Sequence, residues 1–251
     1  MKILRLLWRH RALIAVLVRR DLEARYRASV LGFFWSLLNP LLLLVVYAVV
    51  FTYIFHPRFP GGDPYPLFLF SGLLPWLFLS GSVLDASITL VDNGPLLAKV
   101  MCPPEIFPAV TVVSHLVHHL LALPVLFAAL VVSQLVGLHP FPWTFLLVPL
   151  VLIPWILTAG GVAMAVSALS VYYRDMRDLV GHLLTLLFFC SPIIYSLDGL
   201  DVPPLLHRIL TLNPLASLVT VYRDVVFAGR ISSWETWLVA FVVAAISWLL
   251  G

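Results

Sequence analysis

The amino-terminal thirty residues interleave basic and apolar positions, and beyond them the chain settles into long runs without charge. Six such stretches stand out, roughly 33–55, 65–84, 106–136, 143–173, 179–197 and 236–251, and none holds an Asp, Glu, Lys or Arg. A helix of about 20 residues crosses a hydrocarbon core about 30 Å thick, so the pattern predicts an all-α integral membrane protein with six transmembrane helices. The earlier run Ala12–Val18 is too short, since seven helical residues cover about 11 Å. Arg9, Arg11, Arg19 and Arg20 bracket it, which predicts an amphipathic interface helix within residues 1–30, ahead of a six-span bundle over 33–251. A cleavable signal peptide is the rival reading. It fits poorly, because Arg19-Arg20-Asp21-Leu22-Glu23 stands where small residues should be and a further span follows.

Nearly forty residues separate the last two stretches. They are apolar around Leu205–Leu212 and Leu215–Val221, but Arg208, Pro214, Arg223 and Asp224 interrupt them too often for a span. This predicts a re-entrant or interfacial helix pair. Helix punctuation inside the spans, at Asn39-Pro40, Pro75, Pro108, Pro124, Pro149 and Pro154, is tolerated where neighbours satisfy the freed backbone groups. Ala159, Gly160, Ala163 and Ser167 recur at a spacing that allows close helix approach, so the fourth span should pack tightly against a helix that the pattern does not specify.

Composition agrees. Of 251 residues, 62% are apolar and 11% charged, against about 45 to 50% and about 25% in soluble domains. A single membrane domain over 1–251 leaves no room for a soluble catalytic domain. The net charge of +3 hides an asymmetry, because eight of the fifteen Lys and Arg residues fall in the first 27 positions. That favours a lipid-facing cytoplasmic amino terminus over nucleic-acid binding. With the amino terminus inside, the inner segments hold eleven basic residues, including Lys99, Arg174 and Arg177; the outer loops hold Arg58, Arg208, Arg223 and Arg230. Cys102 and Cys190 alone support neither a disulfide framework nor a zinc-spaced pair.

Several chemistries are missing. Neither lysine, Lys2 or Lys99, stands in a G-x-x-x-x-G-K-[ST] loop, so the chain carries no phosphate cradle of that kind. The predicted spans contain no carboxylate or lysine for an ion-coupled relay. Glu23, Glu105 and Glu235 all lie outside the apolar cores, and no G-x-S-x-G or H-E-x-x-H pattern appears. The ionisable cluster within a span is His115, His118 and His119. Its first and third members share a helical face and could bind a metal, face a pathway, or be hydrogen-bonded structural groups; no carboxylate is near in sequence, and no metal site is predicted.

Other segments look built for contact. In the first inner loop Asp92 or Asn93 can cap a helix, Pro95 fits its first turn and Pro103-Pro104 ends it, leaving little more than two turns. Leu96, Leu97, Val100 and Met101 then form one apolar face, suited to a groove on a partner or to the bilayer surface. At the amino terminus Arg20, Glu23 and Arg27 share a face, with Glu23 placed to pair with Arg27. The second inner loop, Tyr172-Tyr173-Arg174-Asp175-Met176-Arg177-Asp178, is a topology anchor or a docking surface. Phe33, Phe34, Trp35, Tyr53 and Phe55 fit interfacial belts. Tyr47, Phe188 and Phe189 do not, and they pack in the core or line a carbohydrate path.

The run Arg20-Asp21-Leu22-Glu23-Ala24-Arg25-Tyr26-Arg27-Ala28-Ser29-Val30-Leu31-Gly32, continued by Trp35-Ser36-Leu37-Leu38-Asn39-Pro40, closely resembles the start of permeases from bacterial ABC transporters that export polysaccharides such as O-antigen, capsule and teichoic acid. Leu97–Val100 through Pro104-Glu105-Ile106, Tyr173–Asp178, Ser191-Pro192-Ile193-Ile194-Tyr195 and Leu212-Asn213-Pro214-Leu215 match in order, so the resemblance is end to end. It implies a homodimeric channel in the bacterial inner membrane, powered by two copies of a separate ABC ATPase that binds ATP and magnesium, with no cofactor and no catalysis in this chain. The cargo would be an undecaprenyl-linked glycan. Asn93, Pro95, Leu96, Leu97, Lys99, Val100, Met101 and Glu105, with Arg174, Asp175, Arg177 and Asp178, would couple to the ATPase. Arg20, Glu23, Arg25 and Arg27 would belong to the interface helix, and the segment after Tyr195 would form a re-entrant gate. Trp35, Tyr47, Phe51, Phe188, Phe189 and Tyr195 are the candidate path residues. Family members usually continue into a basic cytoplasmic tail, whereas this sequence stops at Gly251; either a tail is missing or the last helix is short and tilted. An ABC permease for a drug or lipid is the alternative, followed by a membrane enzyme acting on a polyprenyl-linked substrate through Asp198, Asp201, His207 and Asp224.

Overall fold

A computed structural model describes residues 2–26, 29, 31–55, 64–98, 102–197 and 202–251, and every regular element among them is helical. Arg27, Lys99, Val100, Met101, Asp198 and Asp201 lie outside the described residues, as does the side chain of His207. Two surface helices come first, α1 (Lys2–Arg9) and α2 (Arg11–Tyr26). A 3-10 turn then leads into α3 (Trp35–Val49), which continues as a π turn, Val50–Phe55. Next come α4 (Tyr65–Asp92), the single turn α5 (Gly94–Leu97), α6 (Ile106–Leu135), α7 (Val148–Ser170), α8 (Met176–Cys190), α9 (Pro204–Leu212), α10 (Pro214–Arg223) with a π turn Asp224–Ala228, and α11 (Trp234–Leu250).

Four of these are long and apolar enough to cross a membrane: Trp35–Ile54, Tyr65–Asp92, Ile106–Leu135 and Trp143–Ser170. The other two expected spans are shorter, α8 at 15 residues and α11 at 17. At 1.5 Å per residue they reach about 22 and about 25 Å. The fifth apolar stretch was expected to run to residue 197, but its helix stops at Cys190. Pro192 forbids the helical conformation to the residue before it, and Ser191 is extended, with φ −96° and ψ 146°. The second span errs the other way. Its helix continues eight residues past the apolar stretch to Asp92, and its 28 residues, about 42 Å, exceed a hydrocarbon core about 30 Å thick.

Proline in the first turn, where its missing N–H costs nothing, opens α4, α5, α7, α9 and α10. The hub of the bundle is α4. From Leu67 to Trp76 every residue is buried, as a helix must be when neighbours surround it. His119 reaches the Leu74 carbonyl while Thr111 lies 3.4 Å from Thr89, so α6 runs antiparallel to α4. Gly181 faces Leu84 while Phe188 packs on Trp76, so α8 is antiparallel to α4 as well. The loops 93–105 and 171–175 therefore share one end of the bundle.

The small-residue face of α7 meets α11. Ala159 and Ala163 are buried, Gly160 lies against the Trp248 ring, and a Cβ on Gly161 would overlap the Ser247 carbonyl. At the opposite end from loops 93–105 and 171–175, α10 is buried along one side. Trp155 Nε1 donates to the Leu218 carbonyl (3.3 Å), and Thr144 Oγ1 donates to the Val225 carbonyl (2.7 Å). The expected pair of short helices between the fifth and sixth apolar stretches is present as α9 and α10. By contrast α3 is loosely seated, with only Ser36 and Leu44 buried among its described side chains.

Candidate functional site

The interface helix α2 is fastened to the end of the bundle that carries loops 93–105 and 171–175. Val18 is buried against Ile106 and Val110 of α6, with Ile14, Leu17 and Leu22 beside it. Ile14, Val18, Leu22 and Arg25 follow one another at helical spacing on this face. Arg25 therefore reaches the bundle while its side chain stays about one-third exposed. Its Nη2 donates to Asp85 Oδ2 at 2.8 Å, its Nε donates to Asp21 at 3.3 Å, and His115 Nε2 meets the same Asp85 oxygen at 2.8 Å. A carboxylate only accepts, so His115 carries its proton on Nε2. Burial works against the Arg25 charge, but the bonds to Asp85 and Asp21 outweigh it and hold its pKa above the ordinary arginine value.

Other parts of the expected interface helix differ. Glu23 pairs backwards with Arg19 at 2.8 Å, both exposed, and Arg20 is exposed as well. Asp85 was not anticipated as a partner because it sits just past the apolar stretch. The stripe 14/18/22/25 is the signal that would have placed Arg25 on the buried face.

In the loop 93–105 the described helical turn is α5, Gly94–Leu97, and Lys99, Val100 and Met101 of the expected helix lie outside the described residues. Asn93 does not cap α5; its amide donates to the Thr89 carbonyl at 2.8 Å and closes α4 instead. Pro95 is exposed, Leu96 and Leu97 are half-exposed, and no residue of α5 is buried. Glu105 directly precedes α6 and has one carboxylate oxygen enclosed without a hydrogen-bond partner. Arg174, Asp175, Arg177 and Asp178 are all exposed around the start of α8, with Met176 turned inward beneath them. Helix α2, the turn α5 and the loop 171–178 thus gather at one end of the bundle, and the last two present free polar and apolar surface there.

The three histidines separate in role. His115 is hydrogen-bonded to Asp85, the carboxylate that sequence proximity did not reveal. His119 is buried; its Nδ1 donates to the Leu74 carbonyl (3.3 Å), which leaves Nε2 to accept from the Tyr222 hydroxyl (3.2 Å). It is a structural tie between α4, α6 and α10. Among the described residues no group of three or more His, Cys, Asp or Glu is arranged to hold a metal. A cavity of about 550 Å³ lies between α2, α3, α4 and α6, walled by Arg25, Ser36, Asn39, His115, His118 and Phe78.

The aromatic candidates fall into two groups. Tyr47 and Phe51 (centroids 6.1 Å apart) continue through Tyr65 and Phe68 to Phe227. Phe188 packs on Trp76 and on Phe189, whose carbonyl accepts from the Tyr195 hydroxyl at 3.2 Å. Trp35, at the opposite end of α3, stands about 18 Å along the helix from Tyr47. Phe189 is exposed, whereas Tyr47, Phe51 and Phe188 pack partly buried against the core.

Asp224, one of the carboxylates weighed for an enzyme, is buried, with Oδ1 accepting from Arg230 (2.8 Å) and Oδ2 from Ser232 (2.8 Å). Both of its oxygens serve the turn around Gly229, whose φ of +68° suits glycine. Arg223, read from sequence only as an interruption, is buried and donates to two backbone carbonyls of the turn after α8. A cation embedded in an apolar run was its signal.

The sequence has known counterparts. The sequence profile of the ABC-2 type transporter family matches residues 12–227. The O-antigen export system permease protein RfbA of Myxococcus xanthus is 35% identical over 93% of this chain and 87% of its own length. A protein of the same name from Klebsiella pneumoniae is 30% identical over 88% of this chain and 82% of its own. The polysialic acid transport protein KpsM of Escherichia coli is 24% identical over 87% and 83%. With a family match across most of its length and an all-helical bundle whose long members can cross a bilayer, the chain belongs to the ABC-2 type transporter family.

Proposed function

We propose that the chain is the permease subunit of an ATP-driven exporter that moves a lipid-linked polysaccharide across the bacterial inner membrane. The observation that carries this reading is the likeness, along nearly the whole chain, to permeases named for O-antigen export. The arrangement of the bundle supports it. The chain has no phosphate-cradling loop, so the driving energy must enter from another protein, and one end offers a contact surface built from α5 and the 171–178 loop. In this reading that end is cytoplasmic, two copies of the chain form the channel, and two copies of an ABC ATPase holding ATP and magnesium dock on α5 and Arg174–Asp178.

Six helices then cross the membrane: α3, α4, α6, the helix formed by 143–170, α8 and α11. Helix α8 is short, so a locally thinned bilayer accommodates it. Helices α9 and α10 dip into the membrane from the outer side, and the irregular backbone around α10 is tolerated there because α4, α7 and α11 pack against it. The exposed charged face of α2 lies among lipid headgroups, and its inner face follows movement of α4 and α6. Tyr47, Phe51, Phe188, Phe189 and Tyr195 present flat rings to a passing glycan, the function that aromatic faces serve with sugar C–H groups.

Leu97→Asp tests the docking surface. It places a charge on the face offered to the ATPase without touching a buried residue, so the chain should insert normally but lose co-purification with its ABC ATPase. Normal co-purification would remove α5 from the interface. Export of an undecaprenyl-linked glycan by the reconstituted pair, and not by the chain alone, is the decisive assay; turnover of the glycolipid by the chain alone would favour an enzyme instead.

A further inference from the structure

Arg223 closes α10, and its guanidinium lies over the Phe68 ring, 3.8 Å from the centroid. Nη1 donates to the Pro192 carbonyl (2.6 Å) and Nη2 to the Ile193 carbonyl (2.8 Å). The berth exists because Gly72 has no side chain, since a Cβ there would overlap Nη2. Two more donors grip the same turn. The Tyr65 hydroxyl donates to the Ile194 carbonyl (2.7 Å), and Asn213 Nδ2 reaches the Cys190 carbonyl and Ser191 Oγ, each at 3.0 Å. Four carbonyls within five residues are thus held by side chains from α4, α10 and the α9–α10 junction.

This is an expensive way to fix a turn. A buried cation loses its hydration, and the adjacent carboxylate of Asp224 is not bonded to it but accepts from Arg230 and Ser232. Nε of Arg223 is buried without a partner. Buried ionic groups are often replaceable by apolar ones at no loss of stability, so stability alone does not account for a cation here. What the guanidinium does that an apolar side chain cannot is bind two successive carbonyls in one plane and release them together.

We propose that Arg223 is a positioning residue for export: it clamps the turn 191–194 onto α4 and α10, and the clamp must open for the outer end of the bundle to open. Gly72 and Phe68 shape its berth, and Tyr65 and Asn213 complete the grip. The proposal rests on the reading that this end of the bundle faces outward.

Cys190, half-buried within the clamped turn, is a native reporter. In a Cys102→Ser background it is the one thiol, because the chain has two cysteines. The permease–ATPase complex is reconstituted and treated with a membrane-impermeant maleimide from the outer side, with and without ATP. In the parent, labelling should be slow at rest and faster during ATP hydrolysis. Arg223→Met keeps apolar bulk over Phe68 but donates nothing. It should assemble with a lower melting temperature, because two buried carbonyls lose their donors, label at least about tenfold faster at rest, lose the ATP effect and export at least about tenfold less, tenfold being the weight of a single hydrogen bond to a charged group. Arg223→Lys, able to serve one carbonyl, should fall between. Parent-like labelling and export in Arg223→Met would overturn the proposal. If that variant does not assemble, Tyr65→Phe decides, since it keeps the ring but removes the bond to Ile194 and should still quicken labelling; no change overturns the clamp. Labelling of Cys190 only from the ATPase side would instead overturn the orientation, whatever the ratio between variants.

Discussion

Replacing Asp85 with Asn removes the charge that ties α2 to the bundle while keeping the side chain's shape. The two groups of the Arg25–Asp85 pair are 2.8 Å apart and about one-third exposed. At that separation the gross attraction is about 6 kcal/mol for an effective dielectric constant near 20. Most of this is offset by partial desolvation and by ordering a long side chain, so the net coupling should be about 1 to 2 kcal/mol, above a typical surface pair because His115 shares the same oxygen. A double-mutant cycle isolates that number. Asp85→Asn alone should cost about 2 kcal/mol, since it leaves Arg25 half-buried and weakens the acceptor for His115, and Arg25→Gln about 1 kcal/mol. The double variant should cost less than the sum by the coupling energy. Asp21→Asn, which touches Arg25 only across 3.3 Å, should cost under about 0.5 kcal/mol. Thermal unfolding of the detergent-solubilised chain gives the energies, and cysteine crosslinking between α2 and α6 reports whether the helix stays seated. Strict additivity of Arg25→Gln and Asp85→Asn would refute the latch.

Other outcomes follow from single contacts. Gly161→Ala should destabilise by about 2 to 3 kcal/mol, because the new methyl meets the backbone of α11, whereas Gly160→Ala meets only the movable Trp248 ring and should cost under about 1 kcal/mol; equal melting shifts would contradict the close approach of α7 and α11. Tyr222→Phe leaves His119 Nε2 buried without a donor and should cost about 1 to 3 kcal/mol by the same measurement. Asn213→Ala removes the cap on Leu215 N together with two bonds to the turn at 190–191; a loss of about 2 kcal/mol is expected, and a change below about 0.5 kcal/mol would show that the junction is held by other means.

The helices were legible wherever hydropathy alone decides them. The apolar stretches at 65–84, 106–136 and 143–173 each became a long helix, and the pair of short helices between the last two stretches was readable from Arg208, Pro214 and Arg223 interrupting an apolar run. Helix ends were less legible, for local reasons. Pro192 ended the fifth helix early through its effect on Ser191, and α4 continued to Asp92 because a helix does not stop where the hydrocarbon does. Pairings were hidden for a different reason. Asp85 and His115 are 30 residues apart, and Arg25 and Asp85 are 60 apart, so no local spacing rule reaches them. The expected Asn93 cap failed because the same amide closes the preceding helix. Arg223 was visible as an oddity in an apolar run, but its meaning depends on Gly72, which only packing reveals.

The placement of Gly72 bears on how the chain is made. It enters the membrane with the second long helix, yet Arg223, the group that fills the space beside it, is synthesised about 150 residues later. At about 5 to 20 residues per second the gap is roughly 8 to 30 s. During that interval α4 carries an unfilled notch and the Tyr65 hydroxyl awaits its acceptor at Ile194. The hub of the bundle is thus among the first parts inserted and the last to be completed, so quality control of this protein should be most sensitive to events late in translation, when α10 arrives to close it.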